Sequence, residues 1–289
     1  MLDGQMPSYA HELAVVIAAV QRAGATIMEM FGTARVSKKA DGSPVTEADL
    51  ASDRIIRSVI GAAFPTDAIL TEEGVDNQQR LKSSRCWIVD PIDGTAAFVR
   101  RSEDFDVYIA LVVDSRPVVA ATLQPITGLL LSAVAGGGAQ ISRGSGAAQP
   151  LLFRGPGDSP RLGSRGWLGA PANFPLLERV ARAIGPNATV VRPTNGLGSR
   201  SFIPPDNQVD AIVGVAVDGR KLDAWEWDLA AVDLIVREAG GCSTDLSGNP
   251  LHFNQPDPRI KDLLLSTDPD THSRTLSAIA ATMRDLDRS

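Results

Sequence analysis

The apolar positions of the N-terminal third predict two amphipathic helices. Those in residues 9–31 recur every three to four positions, and Gly32 offers a stop. A second helix is predicted to begin with Thr46 as its N-cap and to end before Pro65. Residues 33–45 lie between the two helices and, because turn-forming residues are frequent there, are predicted to form a loop or hairpin.

Short apolar runs predict β-strands in the middle of the chain. Strands are expected around residues 69–70 and at 86–90. Three further runs are separated by turn-forming residues and predict an antiparallel meander. These runs lie at 107–113, 118–123 and 129–134.

Residues 136–170 are rich in Gly, Pro, Ser and Ala, and we place a boundary there that divides the chain into 1–145 and 146–289. The second part is predicted to alternate helices with strands. Helices are expected at 174–185, 228–239 and 270–284, and strands at 188–192, 211–217 and 262–266. Alternation in both parts predicts an α+β or layered α/β fold.

Composition and charge exclude some classes of function. With 289 residues, 44% of them hydrophobic, the chain can bury a substantial core. The formal net charge of -6 argues against nonspecific binding to a nucleic-acid polymer, which requires a basic surface. It is compatible with a carboxylate site that holds an anionic substrate through cations, and equally with acidity that serves solubility.

The cysteines and the N-terminal apolar run indicate a cytoplasmic protein without a membrane anchor. Cys86 and Cys242 fit no metal-binding spacing and are predicted to be reduced thiols in or near the core. The apolar run from Leu13 to Val20 is too short to span a bilayer. The three histidines lack partners at ligand spacing and are predicted to lie at the surface; they are His11, His252 and His272.

The segment Asp90-Pro91-Ile92-Asp93-Gly94-Thr95 carries the strongest chemical signal. Two carboxylates three positions apart follow the strand predicted at 86–90, and Ile92 between them can offer a backbone carbonyl. Such oxygen ligands suit Mg²⁺, and free amides at the start of a helix suit a phosphate. Taken alone, the segment is better interpreted as a β-turn, because Asp and Gly are common in turns.

Further acidic residues stand at the ends of other predicted elements. They are Asp49, the pair Glu72-Glu73, and Asp228. Each of them by itself is best interpreted as a helix cap or a solvated charge. Together with Asp90 and Asp93 they predict a site for several metal ions where loops converge on a cleft. Phosphoryl transfer to water needs such a site, because metal ions neutralise the phosphate and activate the water.

Three motifs in this chain resemble those of the inositol monophosphatase family of Mg²⁺-dependent, typically Li⁺-sensitive phosphomonoesterases. They are Thr71-Glu72-Glu73, the run from Trp87 to Thr95 with Phe98, and Trp227-Asp228-Leu229-Ala230-Ala231 closing at Ala239-Gly240-Gly241. Lys38 and the segment from Asp41 to Asp49 also fit. The resemblance extends from roughly residue 9 to residue 282.

The resemblance implies an alternating α-β-α-β-α sandwich, a homodimer, a small phosphorylated substrate and two or three Mg²⁺ ions. The residues that resemble the metal ligands are Glu72, Asp90, Ile92 through its carbonyl, Asp93 and Asp228. Asp49 and Thr95, with Glu72, resemble the catalytic groups that prepare the attacking water.

The resemblance also assigns substrate-binding and supporting residues. The amides of Gly94 and Thr95 are expected to bind phosphate. Glu73 is expected to support the ligands, and Lys38 to place a charge beside the site. A solvated Glu and a solvated Lys are equally good interpretations of those two residues.

The sequence departs from the inositol-specific pattern in ways that leave a second substrate open. Ala97 stands where the family often has Asn, and Lys221 stands where inositol-cleaving members commonly have Glu. Glu226, followed by Trp227-Asp228, is similar to the bisphosphate nucleotidase branch, which removes the 3′-phosphate from 3′-phosphoadenosine 5′-phosphate. Glu226 and Lys221 are therefore candidate substrate contacts, although a single basic residue such as Lys221 is more often solvated.

Two other interpretations compete with a metal-dependent phosphomonoesterase. A phosphatase that forms an aspartyl-phosphate would use Asp-x-Asp after a strand, and the spacing here is Asp-x-x-Asp. A catalytically silent regulator that binds metal or phosphate would normally lack a ligand or a water-orienting residue. The full set of these residues is present here, which favours an enzyme.

Overall fold

The computed structural model describes residues 8–164, 174–191, 199–203, 209–214, 222 and 224–286. The described chain begins with α1 (Ala10–Met30), the hairpin strands β1 (Val36–Lys38) and β2 (Pro44–Thr46), and α2 (Glu47–Ala63). Both predicted helices and the predicted hairpin are therefore confirmed. Thr46 is the N-cap of α2, because its hydroxyl oxygen accepts hydrogen bonds from two amides in the first turn.

A seven-stranded sheet follows, and its strands lie side by side in chain order. They are β3 (Ala68–Thr71), β4 (Arg85–Asp93), β5 (Asp106–Val113), β6 (Arg116–Gln124), β7 (Leu129–Val134), β8 (Gly138–Arg143) and β9 (Gln149–Leu151). β3 is parallel to β4, and every later neighbour is antiparallel. The predicted meander is confirmed. A short helix, α3 (Thr95–Val99), connects β4 to β5.

A five-stranded mixed sheet occupies the second half, with the strand order β11-β10-β12-β14-β13. Its strands are β10 (Arg161–Ser164), β11 (Thr189–Val190), β12 (Ala211–Gly214), β13 (Cys242–Thr244) and β14 (Leu263–Ser266). The helices of this half are α4 (Phe174–Ile184), α5 (Glu226–Glu238) and α6 (Pro269–Leu286). Residues 192 and 215–217, the ends of two predicted strands, lie outside the described residues.

The elements stack in five layers, which confirms the predicted α-β-α-β-α sandwich. α1 and α2 cover one face of the seven-stranded sheet, where Trp87 and Val89 point. α5 covers the other face and also packs against the five-stranded sheet, while α4 and α6 cover the far side of that second sheet. Successive side chains of β12 point to opposite faces of the second sheet, as expected for a strand. Ile212 faces α5, and Val213 faces α4 and α6.

The first helix is a core element of this sandwich. By length and composition α1 is apolar enough to cross a membrane, and at 21 residues it is longer than the run Leu13–Val20 considered above. Val16, Val20 and Ile27 on its inner face are fully buried against the seven-stranded sheet.

One prediction about the histidines is wrong. His11 and His252 are exposed, but His272 is buried. The ring nitrogens of His272 lie 2.9 Å from Thr244 Oγ1 and 2.9 Å from Ser266 Oγ, and these hydroxyls replace the water that the ring loses. No sequence spacing shows this, because the two hydroxyls come from neighbouring strands of the second sheet.

Both cysteines are free thiols. Cys86 is buried and Cys242 is half-buried. Burial raises the pKa of Cys86 to about 12, as expected for an unreactive core thiol.

The division at residue 145 stays a prediction. β9, which lies beyond it, still pairs with β8 in the first sheet. α5, from the second half, packs on that same sheet.

The two glycines that end α5 are expected to resist substitution for different reasons. Gly240 has φ +92° and open space around its missing Cβ, so Gly240→Ala costs the left-handed strain of about 1–2 kcal/mol. A Cβ on Gly241 would overlap the carbonyl oxygen of Ser266 in β14, so Gly241→Ala costs about 1–3 kcal/mol through overpacking.

Urea unfolding of the two variants checks this prediction. A Gly240→Asn variant is the control, because Asn tolerates the left-handed region better than Ala and is expected to restore part of the loss. A Gly241→Ala protein as stable as the parent would contradict the close packing of α5 against β14.

Candidate metal centre

The two aspartates of the central motif reach the same face of the sheet through a β-bulge. β4 pairs regularly with β5 up to Asp90 opposite Tyr108, and pairing resumes with Asp93 opposite Asp106. β4 thus uses one residue more than β5 over this interval. Side chains three positions apart point to opposite faces of a regular strand, and the extra residue brings Asp90 and Asp93 onto the same one, towards α5.

The N-terminus of α5 brings Asp228 to this pair. Asp90, Asp93 and Asp228 each offer a carboxylate oxygen, and these oxygens lie within 4.8 Å of one another. The amide of Trp225 donates to Asp228 Oδ2 at 2.8 Å, which fixes the carboxylate at the start of the helix. Trp225 is itself stacked on Trp227, with ring centroids 4.9 Å apart.

Glu72 and Glu73 follow β3, the parallel neighbour of β4. The amide of Glu72 donates to the carbonyl of Val89 at 3.2 Å, which brings Glu72 level with Asp90. The Nζ atom of Lys39 lies 2.6 Å from Glu72 Oε1 and 2.7 Å from Glu73 Oε1. Lys39, in the loop between β1 and β2, is therefore the contact that links this hairpin to the acidic group.

Asp49 and Thr95 form a hydrogen-bonded pair beside these carboxylates. Asp49 Oδ2 accepts from the amide of Thr46 at 2.8 Å and from its hydroxyl at 2.5 Å. This leaves Asp49 Oδ1 to accept from Thr95 Oγ1 at 2.8 Å. Asp49 is 1% exposed and Thr95 is 8% exposed, so the hydroxyl is oriented in a nearly dry environment.

The backbone between Asp90 and Thr95 is tightly constrained. The amide of Ile92 donates to Asp90 Oδ1 at 3.0 Å, and Thr95 Oγ1 lies 3.3 Å from the carbonyl oxygen of Ile92. Gly94 has φ +94°, and a Cβ there would lie 2.5 Å from the carbonyl oxygen of Asp104. A side chain at position 94 would therefore be excluded by both conformation and space.

Burial, and then repulsion between the carboxylates, disfavours the charged form of Asp90. Burial and then the nearby Glu72, Asp93, Asp228 and Asp49 raise the pKa of Asp90 well above its usual value. Burial also raises the pKa of Glu72, and Lys39 opposes that rise. Burial lowers the pKa of Lys39, but the carboxylates of Glu72 and Glu73 outweigh that effect and hold the pKa above its usual range.

This donor set fits a hard divalent cation. Three carboxylate oxygens converge from β4 and α5, and the carbonyl of Ile92 lies between two of their residues in the chain. Oxygen donors of this kind are those that Mg²⁺ prefers, and a cation would relieve the repulsion that adds to burial in raising the pKa of Asp90.

The other predicted site residues have different surroundings. Lys38 is exposed on β1, while its neighbour Lys39 contacts the acidic group. Glu226 is 1% exposed, and its carboxylate accepts from the amides of Asn254 at 2.6 Å and Gln255 at 2.8 Å. These bonds tie Glu226 to the 254–255 loop and do not support a substrate contact. Lys221 lies outside the described residues.

Sequence reasoning missed three contacts that shape the centre. Lys39 had no signal that distinguished it from Lys38. The Ser52 hydroxyl donates to the carbonyl of Pro91 at 2.9 Å within the bulge; Ser52 is three positions after Asp49 in α2, so helical periodicity would have placed it on the same face. The pair of Arg200 with Asp106 joins residues too distant in the chain to be foreseen.

That arginine pair lies next to Asp93. Arg200 Nε lies 2.8 Å from Asp106 Oδ2, and Asp106 is the residue opposite Asp93 in the sheet. Burial raises the pKa of Asp106 to about 6, against the effect of Arg200. Arg200 thus neutralises a buried carboxylate that would otherwise add to the repulsion.

The chain is similar in sequence to known proteins over most of its length. The model of the Inositol monophosphatase family matches residues 9–159 and 207–286. An inositol-1-monophosphatase of Rhizobium meliloti is 33% identical over 249 residues, which cover 82% of this chain and 86% of that protein. A 3′(2′),5′-bisphosphate nucleotidase CysQ of Aggregatibacter actinomycetemcomitans is 30% identical over 249 residues, or 85% and 88% of the two chains.

The chain is also similar to a protein that is not named as a phosphatase and, separately, to a solved structure. A protein of Streptomyces griseus named glucose-1-phosphate thymidylyltransferase is 34% identical over 243 residues, covering 76% of this chain and 80% of that one. The structure of an inositol monophosphatase from Zymomonas mobilis superimposes with a TM-score of 0.72 at 24% identity, covering 95% of this chain and all of the other. The last comparison concerns the fold alone.

In a chelator, Asp90→Asn is expected to stabilise the protein at pH 7.5 by about 1–2 kcal/mol. The change removes one charge from the repelling group, and the amide oxygen can still accept from Ile92. Because the folded pKa of Asp90 is raised, its favourable contribution is complete below the unfolded pKa of about 4 and is lost as the pH rises. The gain should therefore be small at pH 4 and largest near neutrality.

Urea unfolding at pH 4 and pH 7.5 measures the difference, and Asp285→Asn on the exposed part of α6 is the matched control. A variant that is less stable than the parent at pH 7.5 would show that the bonds of Asp90 outweigh the repulsion between the carboxylates.

Proposed function

The chain belongs to the inositol monophosphatase family, and we propose that it is a Mg²⁺-dependent phosphomonoesterase that hydrolyses a small phosphorylated metabolite of the inositol monophosphate type. The observation that carries this proposal is the position of the Asp49–Thr95 pair beside the converging carboxylates of Asp90, Asp93 and Asp228. The three carboxylates suit a metal ion, and the Asp49–Thr95 pair suits an attacking water molecule.

The acidic group is the metal-binding part of the proposed site. Glu72, Asp90, Asp93 and Asp228 hold two or three Mg²⁺ ions through their carboxylates, and Ile92 contributes its carbonyl. Bound Mg²⁺ neutralises the phosphate, makes hydroxide available near neutral pH and stabilises the leaving oxygen. Asp90 is 1% exposed, so water screens its charge little.

Thr95 and Asp49, with Glu72, are the proposed catalytic groups that prepare the water. Thr95 Oγ1 donates its proton to Asp49 Oδ1, so its lone pairs can accept a proton from a water molecule. As the water oxygen bonds to phosphorus, its proton passes towards Thr95 and the threonine proton towards Asp49. The P–O bond to the alcohol breaks in the same displacement, and the leaving alkoxide takes a proton from water. Burial raises the pKa of Asp49, which makes this carboxylate a better proton acceptor than an exposed aspartate.

The amides of Gly94 and Thr95 are the proposed contacts for the phosphate oxygens. The absence of a side chain at Gly94 lets the backbone turn sharply against Asp104 and enter α3. Glu73 supports Glu72 through their shared partner Lys39.

A nucleotide 3′-phosphate is the second candidate substrate, supported by the similarity to the bisphosphate nucleotidase CysQ over 85% of this chain. Lys221 would meet the second phosphate in that case. The Glu226 carboxylate accepts from two backbone amides, which favours a structural role and weakens the support that the Glu-Trp-Asp sequence gives to the nucleotide.

Family resemblance supports the remaining parts of the proposal. The protein forms a homodimer, Li⁺ inhibits it in competition with Mg²⁺, and it acts in the cytoplasm without a nucleic-acid polymer or a membrane as partner. The packing of α1 into the core and the two free thiols agree with that location.

Phosphate release with Mg²⁺ tests the reaction and the substrate together. The panel is inositol 1-phosphate, 3′-phosphoadenosine 5′-phosphate, fructose 1,6-bisphosphate and histidinol phosphate. Glucose 1-phosphate with dTTP is a further arm, because a thymidylyltransferase would release pyrophosphate. We expect the highest kcat/KM for inositol 1-phosphate; a preference for the nucleotide would establish the second candidate, and turnover of none would refute the proposal.

Asp93→Asn is expected to lower kcat by several orders of magnitude while leaving the fold intact, because it removes a metal-binding charge at the reacting centre. Initial rates at saturating Mg²⁺ measure the effect, and circular dichroism checks the fold. Asp285→Asn removes an exposed charge of the same type and should retain full activity. Activity of Asp93→Asn within tenfold of the parent would contradict the assigned role.

A further inference from the structure

A polar cavity of about 290 Å³ lies at the same end of the seven-stranded sheet as the metal centre. Its walls are the loop 102–104, the turn between β6 and β7, the end of β8, and the short 3₁₀ turn Ser199–Phe202. The polar side chains that line it carry charges of both signs and hydroxyl groups; they include Glu103, Asp104, Arg143, Arg200, Ser102 and Thr127. Ligand sites usually enclose ~300–1,000 Å³, so this cavity suits a single small ring.

Two contacts place the cavity beside the site where a phosphate would bind. The carbonyl oxygen of Asp104 lies 2.5 Å from the position that a Cβ on Gly94 would take. Arg200 contacts Asp106, which is opposite Asp93 in the sheet. Opposite residues of antiparallel strands have Cα atoms about 4.5–5.5 Å apart. An ester whose phosphate binds at Gly94 and the metal ligands is therefore close enough to extend its leaving group into the cavity.

Arg200 is held rigidly at the wall of this cavity. Its Nε and Nη2 atoms both lie 2.8 Å from Asp106 Oδ2. Asp106 is 4% exposed and the Arg200 side chain is 12% exposed, so water screens this ion pair little. A guanidinium is planar and carries five N–H donors, of which the bonds to Asp106 use two. The other donors have a fixed direction and can meet oxygen atoms in the cavity.

The lining of the cavity favours a neutral leaving group with several hydroxyl groups. A second phosphate would be repelled by the carboxylates of Glu103 and Asp104, whereas hydroxyl groups can donate to these carboxylates and accept from Arg200. Within the described part of the chain the apolar lining residues are aliphatic, namely Leu129 and Ile203. A nucleotide base, which binds best by stacking on an aromatic ring, finds no such ring among them.

We propose that Arg200 is a substrate-binding residue that donates hydrogen bonds to the hydroxyl oxygens of a polyhydroxylated leaving group, and that Asp106 is the positioning residue that holds its guanidinium at the cavity. The inference rests on the proposed function, which supplies the phosphate end of the substrate. It adds the residue that selects the leaving group, and it favours a polyol ester over a nucleotide.

The ratio of two specificity constants tests the role of Arg200. With Mg²⁺, kcat/KM is measured for inositol 1-phosphate and for 4-nitrophenyl phosphate, whose leaving group offers no neighbouring hydroxyl. We expect Arg200→Met to lower the ratio of the first to the second about 10–100-fold, because hydrogen bonds to a charged group are strong. Arg154→Met removes an exposed arginine outside the cavity and should leave the ratio unchanged. Equal losses with the two esters would indicate a purely structural role and overturn the proposal.

Two further variants separate binding from folding. Arg200→Met alone leaves the buried Asp106 without its partner, which destabilises a protein. The double variant Asp106→Val, Arg200→Met replaces the ion pair by apolar side chains, a change that is often neutral for stability, and urea unfolding checks this. It should show the same loss of the ratio; a folded double variant with the parent ratio would refute the proposal.

Asp106→Asn tests the positioning role. This change keeps the charge of Arg200 but weakens the bond that directs it, so we expect the ratio to fall several-fold, less than in Arg200→Met. An unchanged ratio would overturn the role of Asp106.

Binding of myo-inositol separates failure of this inference from failure of the proposed function, because it needs no turnover. Saturation-transfer NMR with Mg²⁺ present follows the ring protons in the parent and the double variant. We expect the double variant to bind ~10-fold more weakly. This result in a protein that hydrolyses no ester would keep the polyol contact of Arg200 and refute the proposed function. Hydrolysis of both esters together with equal myo-inositol binding by parent and double variant would keep the function and overturn the inference.

Discussion

The main physical constraint on this structure is a group of carboxylates that repel one another at the buried end of β4. Asp90 is 1% exposed, and burial raises its pKa, followed by the nearby Glu72, Asp93, Asp228 and Asp49. Such a group can persist only where each carboxylate has fixed partners. Hydrogen bonds from backbone amides and hydroxyl groups provide these partners, and Lys39 provides a positive charge. The chain therefore gives up some stability in order to hold a cation-binding site.

Two helices, α2 and α5, position a carboxylate of the site in the same way. Asp49 in α2 and Asp228 in α5 are each the third residue of their helix, and each folds back to accept from the amide of the N-cap residue. This bond uses one carboxylate oxygen and leaves the other to point outward. In α2 the second oxygen meets Thr95, and in α5 an oxygen meets the pair on β4. The hydrogen bond to the N-cap amide thus holds the carboxylates of Asp49 and Asp228 in fixed positions at the site.

The layered architecture explains why the centre is completed only in the folded protein. Asp90, Asp93 and Thr95 are local to one strand and the turn that follows it. Asp228 arrives on a helix packed between two sheets, where its neighbours Leu229 and Val232 are fully buried. Rigid packing on both sides of α5 limits the movement of Asp228, which is the precision that a metal centre requires.

The sequence by itself determined most elements and the residue types of the site. Helical spacing set α1 and α2, alternation and turns set the meander, and acidic residues at element ends indicated the centre. These signals are local, so they are readable from neighbouring positions. Tertiary structure alone decided that a bulge turns Asp90 and Asp93 to one face, that Lys39 rather than Lys38 contacts the acidic group, and that Glu226 and His272 are buried. Each of these depends on contacts between residues distant in the chain, and such contacts leave no periodic pattern in the sequence.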